Sequence, residues 1–123
     1  MSLTLVLPVH NDAQNLRRVL QQAHRLGIFN RVVVSDDGSD EPVSRAAVCP
    51  PNAWLQGRFT ILHSNTSKGA GHARNRALEH VETEHVLFFD SDDLLTPDLA
   101  ALVRSLAGQH FDFCLFRHTD SRS

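Results

Sequence analysis

Five short apolar runs punctuate the chain, separated by polar, turn-forming stretches. The first, Leu3-Thr4-Leu5-Val6-Leu7-Pro8-Val9, is almost continuously apolar, as a strand buried on both faces reads. Leu16, Val19, Leu20, Ala23 and Leu26 then fall on one helical stripe, and Gly27 stands where a helix C-terminal glycine belongs. The β-branched run Arg31 to Ser35 predicts a second strand, which Asp36-Asp37-Gly38-Ser39-Asp40 breaks off, and Pro42 opens a short helix to Val48. Arg58 to His63 reads as a third strand, Ser64 to Gly71 as a polar loop and Ala73 to His80 as a helix. Val86 to Phe89 is the fourth strand. Thr96 and Pro97 start another helix, with Leu99, Leu102, Val103 and Leu106 as its apolar face and Gly108 at its end. Phe111 to Phe116 returns as a fifth strand. Alternating strands and helices predict a three-layer α/β/α sandwich on a mostly parallel sheet, in one domain over residues 1–123.

Composition narrows the class of function. At 123 residues the chain sits within the roughly 100–200 expected for one domain. Its net charge of −2 leaves no basic footprint for nucleic acid or an anionic membrane. No apolar run approaches the roughly 18 residues that span a bilayer, and the N-terminus lacks the basic start of a signal peptide. Cys49 and Cys114 have neither metal-ligand nor redox spacing and are expected as buried thiols rather than a disulfide. Trp54 is expected as a surface lid or edge contact. His10, His63, His72 and His118 lie near strand ends without zinc-site spacing, so they read as polar edge residues, His10 closest to any ligand. His24, His80, His85 and His110 read as helix or helix-end surface.

In a parallel α/β sheet, ligands bind beyond the carboxyl ends of the strands. Strand one is followed by His10, Asn11 and Asp12, and strand two by Asp36, Asp37, Gly38 and Ser39. Strand three leads to Asn65, Lys68, Gly69, Gly71 and Arg74, and strand four to Asp90, Ser91, Asp92 and Asp93. Each stretch has an ordinary reading. Asp37-Gly38 is a strong turn dipeptide, the glycine-bearing loop is a flexible helix entry, and the acids after strand four favour a helix N-terminus. Together they point to a phosphate-bearing ligand. Carboxylates accept from a base N–H or ribose hydroxyls, and Lys68 and Arg74 neutralise a diphosphate at a helix N-terminus. The acidic cluster offers the oxygen ligands that Mg²⁺ takes together with nucleotide phosphates. Neither a P-loop nor a dinucleotide fingerprint is present.

With all four strand ends in view, the chain resembles family 2 glycosyltransferases of the GT-A fold. Four segments carry the resemblance in the family's order: Leu7 to Asn11, Val34 to Asp40, Lys68 to Asn75 and Phe88 to Asp93. It implies a glycosyltransferase, inverting at the anomeric carbon, that moves a sugar from a nucleotide-diphosphate sugar to a saccharide or lipid-linked acceptor hydroxyl. By position, Pro8, Val9, His10 and Asn11 would line the nucleoside pocket, His10 standing where the family often has Tyr. Asp36 and Asp37 would bind base and ribose, and Lys68, Gly69 and Arg74 would face the diphosphate and sugar. Asp90, Asp92 and Asp93, with Ser91 between them, resemble the family's Asp-X-Asp element and imply bound Mn²⁺ or Mg²⁺. The family's acceptor-binding half, which supplies the catalytic base, is expected beyond Ser123, and Asp112 and Asp120 are poor substitutes by position. The alternative is a non-catalytic fragment that only binds a sugar nucleotide. The resemblance also implies a cytoplasmic location, or a peripheral one at the inner membrane face. An aspartate phosphatase would carry its acidic pair after the first strand, not the fourth. A response-regulator receiver fails because Asp36-Asp37 follow the wrong strand.

Overall fold

The computed structural model describes residues 2–44, 48, 58–89, 98, 101, 114 and 115. Five strands are present among them: β1 (Leu3–Val9), β2 (Arg31–Asp36), β3 (Phe59–His63), β4 (His85–Phe88) and β5 (Cys114–Leu115). They form one sheet in the order β3-β2-β1-β4-β5, and every pair is parallel. Two helices complete the described elements, α1 (Ala13–Leu26) and α2 (Ala70–Leu78).

The central strand explains the continuous apolar run at the start of the chain. All seven residues of β1 are buried, because β2 and β4 flank it and a helix covers each face. Side chains alternate between the two faces, as strand geometry demands. Leu3, Leu5, Leu7 and Val9 join Val32, Val34 and Leu87 under the α1 residues Leu16, Val19, Leu20 and Ala23. Val6, Val33, Val86 and Phe88 pack on the other side with Ala77 of α2. Leu16 and Leu20 are no more than 1% exposed, and burying each contributes about 1.5–3 kcal/mol. Gly27 closes α1 in the left-handed conformation at φ 66°, donating its N–H to the Ala23 carbonyl at 3.2 Å.

Several boundaries differ from the apolar pattern by one or two residues, and three differences are informative. Helix α2 begins at Ala70, three residues before the predicted start. It meets the sheet through the small residues Ala73 and Ala77, so its apolar stripe is faint in sequence. Strand β4 begins at His85, which is buried rather than a surface helix-end residue. Its N–H donates to the Ser2 carbonyl and its register partner is Leu3, which draws it into the sheet. No helix is seen at residues 42–44, whereas Val48 is helical and buried; residues 45–47 lie outside the described part. The expectations for Cys49, Trp54, Thr96, Pro97 and most of the fifth strand also fall outside it.

The topology selects an edge. From β1 the chain moves to β2 on one side, and β4 lies on the other, so the strand order reverses beside β1. Such a reversal opens a crevice at the carboxyl ends, where ligands of open α/β sheets bind.

Candidate functional site at the carboxyl edge of the sheet

Three loops leave this edge: residues 10–12 after β1, 37–44 after β2 and 64–69 after β3. Hydrogen bonds tie them into one rim. Asn11 has a left-handed backbone at φ 52°, which asparagine tolerates better than most residues. Its N–H donates to Ser39 Oγ at 2.9 Å, and its side-chain oxygen accepts from the Asp40 N–H at 2.7 Å. His10 Nδ1 lies 2.8 Å from the Asp37 carbonyl, which can only accept, so Nδ1 carries the proton. His10 Nε2 is then left to accept from the Asn11 amide at 3.2 Å.

The adjacent carboxylates of Asp36 and Asp37 are each claimed by a different loop. Asp36, 2% exposed, accepts from the N–H of Ser39 at 3.1 Å and of Val43 at 2.9 Å. His63 Nδ1 also lies 3.4 Å from it. Asp37, 5% exposed, accepts from the N–H of Lys68 at 2.7 Å and of Gly69 at 2.9 Å, and from Ser67 Oγ at 2.9 Å. Four lone-pair positions on a carboxylate minus three donors leaves one, on the oxygen that faces Lys68 N–H. Burial pushes both carboxyls up. For Asp36 the Ser39, Val43 and His63 donors outweigh it; for Asp37 the Lys68, Ser67 and Gly69 donors do, with the nearby His10 adding to them. Both groups therefore titrate below the ordinary value of 3.8.

Gly38 is the point where the second and third loops touch. Its φ is 70°, and a Cβ there would fall 2.5 Å from Ser67 N and from the Thr66 carbonyl carbon. Only glycine fits both the conformation and the space. The next glycine of the rim, Gly69, caps the start of α2 at φ 99°.

The predicted site residues thus divide by position. Pro8 and Val9 are buried at the end of β1, with His10 and Asn11 exposed beyond them. Lys68 and Gly69 are exposed on the third loop, and Arg74 is half-buried on α2. Asp90, Ser91, Asp92 and Asp93 lie outside the described residues. The preceding Phe89 is buried and donates its N–H to the Val6 carbonyl at 3.0 Å. Among the described residues no three His, Cys, Asp or Glu side chains form a metal-binding group. Sequence reading did not identify Ser67 or Val43 as partners of the acidic pair. The Asp-Gly turn signalled a close approach but not what approached.

On the α1 side of the rim a cavity of about 450 Å³ is lined by residues 11–13 and 39–44. Asp12, Asp40 and Glu41 lie in its wall, with no basic residue. The formal charge of that wall is negative. On the α2 side stand Lys68, Arg74 and the opening turn of α2, whose first amides have no intrahelical acceptor. Positive charge and open backbone amides therefore gather on that side.

The family model described as Glycosyl transferase family 2 matches residues 4–121. The chain belongs to glycosyl transferase family 2. Relatives agree with this membership. The chain is 38% identical over 109 residues to a pre-mycofactocin glycosyltransferase of Mycobacterium tuberculosis, covering 89% of this chain and 21% of that protein. It is 32% identical over 95 residues to the teichoic acid poly(glycerol phosphate) polymerase of Staphylococcus epidermidis, covering 76% of this chain and 13% of the other. Among solved structures, residues 1–349 of TarS from S. aureus superpose with a TM-score of 0.71 at 26% identity. That match covers 88% of this chain and 32% of the TarS chain. The family 2 chain described here therefore has a GT-A-type fold and spans a minor part of these relatives' length. No helix among the described residues is long and apolar enough to cross a membrane.

Proposed function

We propose that this chain is the donor-binding part of an inverting glycosyltransferase that moves a sugar from a nucleotide-diphosphate sugar to an acceptor hydroxyl. The observation that carries the reading is the rim itself. Three loops at the switch-point edge are joined by hydrogen bonds, with basic groups on one side and carboxylates on the other. The nucleoside lies over the end of β1 against Pro8, Val9, His10 and Asn11, and the remaining acceptor position of Asp37 faces the base or ribose. Asp36 acts through the loop it holds. The diphosphate lies toward Lys68, Gly69 and Arg74, where the opening amides of α2 add their partial charge.

Asp90, Asp92 and Asp93 follow β4 closely in sequence and are hard oxygen donors, the donor chemistry that Mg²⁺ or Mn²⁺ requires beside phosphates. Such an ion would stabilise negative charge on the departing nucleotide. The chain's own residues hold the donor and orient the sugar, while Lys68 and Arg74 neutralise the diphosphate. The acceptor attacks from the face opposite the nucleotide. We assign no base among the described residues, and the acceptor is of saccharide or lipid-linked type.

The reading is tested by calorimetric titration of this chain with UDP and GDP, with and without Mn²⁺. Metal-dependent binding by the native chain is expected, and Asp92→Ala is expected to remove the metal dependence with the fold intact. Binding that ignores Mn²⁺, or metal dependence that survives Asp92→Ala, would remove the metal assignment.

A further inference from the structure

The acidic pair invites a simple role, as two carboxylates offered to the ligand. Their hydrogen bonds fit another. Asp37 places three of its four acceptor positions on Ser67, Lys68 and Gly69, and all three donors lie on the loop that leads into α2. The contact spans 30 to 32 residues of sequence, so no local turn would make it without the carboxylate. Gly38 lets the two backbones meet at this point, where any Cβ would overlap Thr66 and Ser67. The other end of Asp37 is fixed as firmly. Its N–H donates to the Val9 carbonyl at 2.8 Å, and its carbonyl accepts from His10. Asp37 therefore joins the central strand to the loop that carries the chain's single lysine.

We infer that Asp37 is a positioning residue for the phosphate-binding side of the site. By holding the Lys68 and Gly69 amides, it sets where the Lys68 side chain leaves the loop and where the first turn of α2 opens. This rests on the donor-site reading above, and it separates two roles for one carboxylate. A group that only contacts the base would matter to a nucleoside diphosphate and not to a bare diphosphate. A group that positions Lys68 and the α2 entrance would matter to both. In Asp37→Asn, one oxygen becomes an NH₂, so either Lys68 or the Ser67–Gly69 pair faces a donor instead of an acceptor.

The experiment titrates the chain with UDP or GDP and, separately, with inorganic diphosphate, all with Mn²⁺. Asp37→Asn is expected to weaken both ligand classes by at least about tenfold, which is about 1.4 kcal/mol. Amide hydrogen exchange at Lys68 and Gly69 is expected to quicken in the same variant without ligand. A carboxylate that served stability alone would lower the melting temperature and leave the folded protein's affinity for diphosphate unchanged. Nucleotide binding lost with inorganic diphosphate binding retained would overturn the inference and leave the donor site standing. No binding of any nucleotide by the native chain would overturn the donor site, and this role with it. Should Asp37→Asn fail to fold, Ser67→Ala takes its place, because it removes one donor and keeps the carboxylate. A parallel loss for both ligands is then expected, and an unchanged diphosphate affinity would contradict the role.

Discussion

At the scale of single residues, the site is a matter of which donors reach two neighbouring carboxylates. Asp36 holds the Ser39 and Val43 amides, so Asp36→Ala leaves those amides without an acceptor, at a cost of about 1–3 kcal/mol. Urea unfolding would read that loss as a lower midpoint with an unchanged slope. Acid acts on the same groups. Asp36 and Asp37 bind protons less readily in the folded chain than in the unfolded one. Their contribution is therefore fully present above pH 3.8 and is lost as pH falls through their lower folded values. Stability measured between pH 5 and pH 2 should fall with acid, and less steeply in Asp36→Asn than in the native chain. A native curve no steeper than the variant's would count against this assignment. The sequence marked Asp36 and Asp37 as chemistry-bearing but could not show their partners. Backbone amides carry no side-chain signature, and those of Lys68 and Gly69 lie more than 30 residues away.

At the scale of elements, strands and first helix were legible because burial leaves a period in the sequence. The stripe of α1 named Leu16, Val19, Leu20 and Ala23 before the structure placed them against the sheet. Leu16→Ala is expected to cost about 2–5 kcal/mol, as for other fully buried leucines. Helix α2 was harder, since alanines make its contact and glycines open it. The burial of His85 is hidden in the sequence for a related reason. A polar residue at a strand's first position looks like surface unless the neighbouring strand is known. The turn between β2 and its loop was recognisable, but its tolerance was not. Gly38→Ala should destabilise by at least about 1–2 kcal/mol from its left-handed backbone alone. The overlap with Thr66 and Ser67 should also displace the third loop, visible as shifted amide resonances at residues 66–69.

At the scale of the whole molecule, alternation of strand and helix implied a parallel sheet, and parallel strands put the loops that leave them at one edge. The order β3-β2-β1-β4-β5 was not in the sequence, because nothing local tells β4 to pair with β1 rather than with β3. That order matters most for function, since it places the reversal beside β1 and brings the loops after β1, β2 and β3 into one rim. The opposite edge gives a built-in control. There Asn30, Thr83 and Ser2 tie strand starts together through short hydrogen bonds, and the basic group at the start of β2, Arg31, faces Glu82 at 3.8 Å. In the proposed function the carboxyl edge, and not this one, receives a nucleotide-diphosphate sugar. Amide chemical-shift mapping of the labelled chain with UDP or GDP and Mg²⁺ tests it most directly. Shifts are expected to concentrate at residues 10–11, 37–39 and 66–72. Shifts gathered around Ser2, Asn30 and Thr83, or none at saturating nucleotide, would contradict it.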